Sequence, residues 1–292
     1  MFKITKKTLL APNIYLMEVH APRVAKAAQP GQFIIIRVHD KGERIPLTIC
    51  DYDTEKGTVT IVTQTVGAST NLICAKEEGD FFLDFVGPLG CPSEFIHETP
   101  EELKKKKILF VAGGVGTAPV YPQVKWLHQQ GVDVDVIIGA KSKNHLILND
   151  QMKAVAKNVY IATDDGSVGS KGLVTDVLVD LVENKGKQYD VVVAIGPMIM
   201  MKFVALATKK YGIKTIVSLN TLMVDGTGMC GACRVTVGDK VMFTCVDGPE
   251  FDGHLVNFEE AMRRQTMYKS AEGQKLRQQE TEHENDSCRC EK

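Results

Sequence analysis

The hydrophobic pattern of this chain changes its period after Glu98, and that change constrains the fold more than any other feature. Before it come short β-branched or aromatic runs: Ile14 to Val19, Phe33 to Val38, Leu47 to Asp51, Thr58 to Val66 and Asp80 to Val86. Turn-formers such as Pro30-Gly31, Lys41-Gly42 and Lys56-Gly57 separate them. Short strands at that spacing predict a small antiparallel barrel or sandwich over residues 1–98, with a brief helix from Ser69 to Lys76. After Glu98 the apolar runs become continuous: Ile108 to Ala112, Val134 to Ile138, Val159 to Ala162, Val191 to Ile195 and Thr215 to Val217. Helical stretches lie between them, near Pro119 to Gln130, Leu173 to Glu183 and Ile199 to Tyr211. Wholly apolar strands alternating with helices predict a parallel sheet covered on both faces, residues 99–218. The four lysines Lys104 to Lys107 read as a solvated domain junction.

The third region, residues 219–256, is rich in Gly and Cys and has few helical or strand cues. Phe258 to Tyr268 could form one amphipathic helix. From Lys269 to Lys292 the only large aliphatic residue is Leu276, so that tail is expected to lack a core of its own. In a chain of 292 residues this makes two larger domains, a small third one, and a C-terminal helix with a flexible tail over 257–292. Thirty-five basic residues against 36 acidic ones leave a net charge of -1, which argues against nucleic-acid or anionic-membrane partners. Val191 to Met201, the longest apolar run, is broken by Gly196-Pro197 and is far short of a membrane span. With no export signal in the first residues, a cytoplasmic setting is expected, and with it reduced or metal-bound thiols.

The cysteines follow the spacing D-x4-C-x2-C-x11-C: Asp225, Cys230, Cys233 and Cys245. Plant-type [2Fe–2S] sites have C-x4-C-x2-C followed by a distant Cys. Gly226, Gly228 and Gly231 would let several ligands converge from one tight loop. Here the first position is a carboxylate, which can ligate iron through oxygen or can simply cap a turn. A zinc site and three unligated thiols are the alternatives; the second Cys or His pair of a zinc ribbon is absent. Cys288 and Cys290, in the tail, have no assigned role.

Gly113-Gly114-Val115-Gly116-Thr117-Ala118-Pro119 follows the first apolar strand of the second domain and opens a helix, where backbone N–H groups can receive a diphosphate. Asp164-Asp165-Gly166 and Gly196-Pro197-Met198 end later strands, and three such turns could line one crevice at a sheet's carboxyl edge. In the first domain, Gly67, Ser69 and Thr70 open the short helix in another phosphate-friendly arrangement. Pro46-Leu47-Thr48, after Arg44, offers a flat apolar surface beside a hydroxyl, suited to a flavin ring. A β-turn and a helix cap are the plainer readings of these two segments.

Taken together, PLT and GxST segments, GGVGTAP, TDDGS, IGPMIM and the C-terminal C-x2-C-x11-C resemble the ferredoxin–NADP reductase family of flavoproteins. Within it they resemble the electron-transfer subunits, over about residues 1 to 255. RIPLT, and Asp225 in place of the Cys of dihydroorotate dehydrogenase subunits, point to the type found in NADH-dependent ferredoxin:NADP oxidoreductases. The resemblance implies FAD between barrel and nucleotide domain. Pro46, Leu47 and Thr48 would lie at its ring, with Thr48 as the catalytic residue facing N5. Thr63, Gln64, Gly67, Ser69 and Thr70 would border the ring and phosphates. The family's Arg stands three positions before the Ser/Thr; here that position is Ile45, so Arg44 could meet FAD or the nicotinamide cofactor. The resemblance further implies NAD(H) over Gly113 to Pro119, with a hydride passed to FAD and single electrons passed on through a [2Fe–2S] cluster. A large flavin and iron–sulfur partner subunit, and ferredoxin through that complex, would complete the route. Lys141-Ser142-Lys143 after the second strand of the nucleotide domain leans by charge toward NADP(H); the resemblance leans to NAD(H). The competing functions are the dihydroorotate dehydrogenase subunit and a non-enzymatic metal or redox sensor.

Overall fold

A computed structural model describes residues 1–278. Seven strands make the first sheet: β1 (Phe2–Ala11), β2 (Ile14–His20), β3 (Phe33–Arg37), β4 (Ile45–Asp53), β5 (Thr58–Gln64), β6 (Phe81–Phe82) and β7 (Asp84–Leu89). All pairs are antiparallel, in the order β6-β1-β2-β5-β4-β3-β7. Only Leu83 separates the two outermost strands, so the sheet must curl until its edges meet, and it forms a nearly closed barrel. Ile4, Met17, Val19, Ile34, Ile36, Ile49, Val59, Ile61, Phe82 and Phe85 fill it. Closure removes the exposed edges that an open sheet would leave. The expected single strand Asp80 to Val86 is therefore two, broken at the corner. β1 is the longest strand and was missed, because Lys3, Lys6 and Lys7 dilute its apolar alternation.

The second sheet has parallel strands β8 (Ile108–Gly113), β9 (Val134–Ala140), β10 (Asn158–Thr163), β11 (Ser170–Lys171), β12 (Val191–Ile195) and β13 (Lys214–Ser218). All six residues of β8 and all five of β12 are buried, as their apolar composition predicts for strands covered on both faces. Val120, Val124 and Leu127 of the helix Thr117–Gln129 and Met152 of Asn149–Val155 cover one face. Val177 and Leu178 of Val174–Val179, Val204 and Ala205 of Met198–Lys210, and Phe258 and Ala261 of Phe258–Gln265 cover the other. The barrel abuts the first face. Lys125 Nζ reaches both carboxylate oxygens of Asp51 on β4 at 2.8 Å, and Ala118, Ile147 and Leu148 pack on Cys50 and Val62.

The third region holds more structure than its sequence suggests. β14 (Arg234–Val237) and β15 (Lys240–Phe243) form a hairpin, and β16 (Glu250–Asp252) returns to pair antiparallel with β13. The Lys104 to Lys107 run sits at the domain junction, with Lys106 bridged to Glu98 and the Lys107 amide bonded to Asp190. The amphipathic helix ends at Gln265, and residues 269–278 are helical again. The expectation of an unstructured tail from Lys269 is thus corrected for those ten residues. Lys275 there pairs with Glu43 of the barrel at 2.7 Å, supplying an anchor that apolar content did not. Cys288 and Cys290 lie outside the described residues. Among the described residues no helix is long and apolar enough to cross a membrane.

Candidate functional site

The order β11-β10-β9-β8-β12-β13-β16 makes the chain step outward from β8 in one direction and then resume on its other side at β12. Open α/β sheets bind ligands at that reversal, beyond the strands' carboxyl ends. Gly113 ends β8 and Gly196 follows β12, so the two glycine turns face each other there. The approach is of backbone on backbone: a Cβ on Gly116 would lie 2.2 Å from the Ile195 carbonyl oxygen, and one on Gly196 3.1 Å from Gly113 Cα. Gly114 needs glycine for another reason, its φ of +56°. Thr117 is buried and its hydroxyl donates to the Gly114 carbonyl, while Ala118 is buried against the barrel.

Asp164, Asp165 and Gly166 share the carboxyl edge but lie two strands away, beyond β9. Asp165 accepts from the Ser167 amide and hydroxyl, which hold its carboxyl below the usual range. Two of the three expected turns are therefore adjacent, and the third borders the loop after β9 through the Lys143 amide and Ser167 hydroxyl at 2.7 Å. A cleft of about 340 Å³ opens beside Gly196-Pro197-Met198, walled by Asn220, Met262 and Gln265. Sequence reasoning missed these last three, which come from after β13 and from the helix Phe258–Gln265. The amphipathic pattern of that helix was the available signal.

In the barrel, Arg44, Pro46, Leu47 and Thr48 are half-buried on or just before β4. Arg44 Nε and the Thr63 hydroxyl are shut off from solvent and have no hydrogen-bond partner. Buried donors without partners are costly and rare, so these two atoms point to a bound polar group. Gly67 fits as well, since nothing lies within 4 Å of where its Cβ would be. Gln64 ends β5, opposite Ile14. The other two residues are otherwise engaged. Thr70 Oγ1 accepts from the Val66 and Gly67 amides at 3.0 Å, and Ser69 donates to Glu43. Their hydroxyls serve the loop, and phosphate contacts would fall to main chain and Arg44.

The cysteine loop leans on β3. Phe33, Ile35, Met223, Cys233 and Cys245 form one buried apolar cluster, with Leu89 and Phe243 beside it. A Cβ on Gly226, whose φ is +74°, would strike Ile35 Cδ1 at 2.4 Å. Cys233 and Cys245 sulfurs are 3.2 Å apart, well beyond the roughly 2.0 Å of a disulfide. Burial, with the Cys233 sulfur alongside, raises the Cys245 thiol, so it stays protonated unless a cation draws off its proton. Cys230 is exposed. Asp225 accepts from the Thr227 amide at 2.9 Å and the Cys230 amide at 3.0 Å, which lowers its pKa. Among the described residues no three His, Cys, Asp or Glu side chains converge as a finished metal cage. The loop therefore pairs two thiols and holds Cys230 and Asp225 close in sequence around them. Soft thiolates in a glycine loop with an apolar backing fit an iron–sulfur cluster. Arg264, unremarked in the sequence, donates from its guanidinium to the Ala232 carbonyl between Cys230 and Cys233, at 2.9 Å.

Residues 220–257 match the family described as the iron–sulfur cluster binding domain of dihydroorotate dehydrogenase B, and residues 110–206 match the oxidoreductase NAD-binding domain. A Thermotoga maritima protein, named as a homolog of the dihydroorotate dehydrogenase B (NAD+) electron transfer subunit, is 45% identical over 92% of each chain. The chain belongs to the dihydroorotate dehydrogenase B electron-transfer subunit family. An uncharacterized protein from the adh 3′ region of Clostridium beijerinckii is 61% identical over 99% of both chains. Among solved structures, that of an NADH-dependent reduced ferredoxin–NADP oxidoreductase, described in terms of flavin-based electron bifurcation, contains a chain 42% identical to this one. It superposes with a TM-score of 0.87, covering 95% of this chain and 97% of that one. Family membership thus accounts for the cysteine loop and the switch-point glycines together.

Proposed function

We propose that this chain is the flavin and iron–sulfur electron-transfer subunit of an NADH-dependent ferredoxin:NADP+ oxidoreductase. It works in the cytoplasm with a large flavin- and iron–sulfur-bearing partner subunit that meets ferredoxin. The observation that carries the reading is the placement of β3. On one side Phe33 and Ile35 pack on Cys233 and Cys245; on the other, Phe33 pairs with Thr48, Ile34 with Leu47 and Ile35 with Pro46. One strand's width, about 4.8 Å, thus separates the proposed flavin strand from the strand that backs the cysteine loop.

Bound FAD would supply hydride acceptance from NADH and one-electron release to a [2Fe–2S] cluster. The residues' own tasks are simpler. Pro46 would give the ring an apolar wall, backed by Leu47 on the barrel core, Thr48 would present a hydroxyl beside it, and Arg44 and Thr63 would satisfy polar groups of the bound FAD. Gly113, Gly114, Gly116 and the Thr117 helix end admit the nicotinamide cofactor's diphosphate against main chain. Asp225, Cys230, Cys233 and Cys245 hold iron. Arg44→Ala is expected to weaken FAD binding by roughly 10- to 100-fold, the worth of a charge-assisted hydrogen bond to a buried group. Fluorescence titration of the flavin-stripped protein measures it, and an unchanged Kd would place Arg44 elsewhere.

The dihydroorotate dehydrogenase role is the second reading, favoured by the match over residues 220–257 and opposed by Asp225 at the first ligand position. The visible spectrum of anaerobic protein, before and after NADH, tests the first. Overlaid flavin and iron–sulfur absorbance, both bleached by NADH, is the expected result. A colourless protein after cofactor reconstitution would leave a metal or redox sensor. Addition of dihydroorotate against NADP+ to the native complex separates the two enzymes.

A further inference from the structure

Where barrel, nucleotide domain and cysteine region meet, three buried polar atoms lack partners: Ser93 Oγ, Gln123 Oε1 and Glu250 Oε2. Ser93 lies just after the barrel, Gln123 on the helix Thr117–Gln129, and Glu250 on β16. They form one group. Gln123 Nε2 donates to Glu250 Oε1 at 2.6 Å, and a Cβ on Gly31 would meet both the Ser93 amide, at 2.8 Å, and Glu250 Oε1, at 3.3 Å. No role described so far uses them.

The group is one hydrogen short when the carboxyl is ionised, and protonation of the carboxyl supplies that hydrogen. With Glu250 ionised, the Ser93 hydroxyl can donate to Oε2, and Gln123 Oε1 stays unmatched. With Glu250 protonated, Oε2–H can donate to Ser93 Oγ, and the Ser93 hydrogen is freed to turn away from the carboxyl. Rotation of one hydroxyl therefore serves both states.

We propose that Glu250, with Ser93 and Gln123, is a redox-linked proton site. When one electron arrives at the cysteine loop, the Glu250 carboxylate takes up one proton from water and becomes a carboxylic acid; when the electron leaves, the proton is returned. Charge at the junction is thereby held constant. The inference rests on the iron–sulfur reading of the loop.

Glu250 lies five positions after Cys245, so their Cα atoms are at most about 17 Å apart. An added negative charge within that distance tightens proton binding by roughly fivefold or more at the effective dielectric of proteins. Burial pushes the Glu250 carboxyl up to about 7, opposed by Gln123 and Ser93 and aided by Glu94, so its occupancy is poised to respond. Among the groups facing it, Ser218 on β13, Gln123 and Ser93 are neutral. Glu94, the acidic neighbour, is itself held by Lys214 at 2.5 Å.

The test is a redox titration of the cluster-loaded protein from pH 6 to pH 8, with infrared difference spectra of the oxidised and reduced states. A potential that falls as pH rises, a protonated-carboxyl band that grows on reduction, and loss of both in Glu250→Gln are expected. Ser93→Ala leaves the carboxyl in place and should shift the pH at which the slope changes, so a poorly folding Glu250→Gln does not block the test. A pH-independent wild-type potential, or a slope retained in Glu250→Gln, overturns the proposal. Failure to incorporate iron would sink the reading of the loop instead. Glu250 is then titrated by the same band in the cluster-free protein, where full ionisation throughout pH 6 to 8 overturns the proton site.

Discussion

Cys245→Ser protein is expected to purify with its flavin and without its cluster. Cys245 is 1% exposed, its sulfur faces Cys233 at 3.2 Å, and the pair is backed by Phe33 and Ile35. A serine hydroxyl in that apolar site ionises far less readily than a thiol and leaves iron one soft ligand short. Iron content should fall at least tenfold, by comparison with the roughly 10- to 100-fold losses from disturbing a ligand's supporting residues alone. NADH should still bleach the flavin, because the switch-point turns and β4 are untouched, while electron delivery beyond it stops. Iron analysis beside the NADH-bleached spectrum decides the matter. Retained iron would show that Cys245 only packs the core. The same assay on Asp225→Ala separates ligation from its role in capping the Thr227 and Cys230 amides.

Gly116→Ala should be as severe by a different route. Its φ is -59°, so the backbone tolerates alanine; the obstacle is the Ile195 carbonyl oxygen 2.2 Å from the new methyl, and Gly196 Cα at 2.8 Å. Neither neighbour is a side chain that can swing away. Overpacking of this kind costs roughly 3 kcal/mol or more, and any relief pushes apart the two turns that receive the dinucleotide. Chemical denaturation should show the loss, and NADH binding should weaken beyond what stability alone explains. Gly212→Ala, at a position with nothing within 4 Å, controls for glycine removal, although its φ of +66° adds modest strain.

The parallel sheet was legible because Ile108 to Ala112 and Val191 to Ile195 are short apolar runs without interruption, as strands covered on both faces are, and helical stretches alternate with them. β1 was not, since Lys3 and Lys6 face water, Lys7 lies against Glu77, and Ile4 alone is wholly buried in its first half. β16 is three residues long and ordinary in composition; only the edge of β13 makes it a strand. The glycine and cysteine motifs placed their turns correctly, yet spacing could not say that Asp164 lies two strands from Gly113. Nor could it show that the Ser69 and Thr70 hydroxyls are already engaged. Gln123 and Glu250 stand 127 positions apart and Arg264 follows the cysteine motif entirely. Contacts of that kind belong to the three-dimensional arrangement, and no local pattern announces them.

The way the cysteine region is stitched in has a further meaning. Leu219 leaves β13 with its amide bonded to the Pro249 carbonyl at 2.9 Å, and β16 then runs back along the strand just left. The thirty or so residues carrying the thiols begin and end at neighbouring points, like a bead on a closed stitch. A body of barrel and sheet could acquire or shed such a bead by splicing at one site, with a short turn in its place. On this architecture the cysteine region enters and leaves the body of the protein at one place.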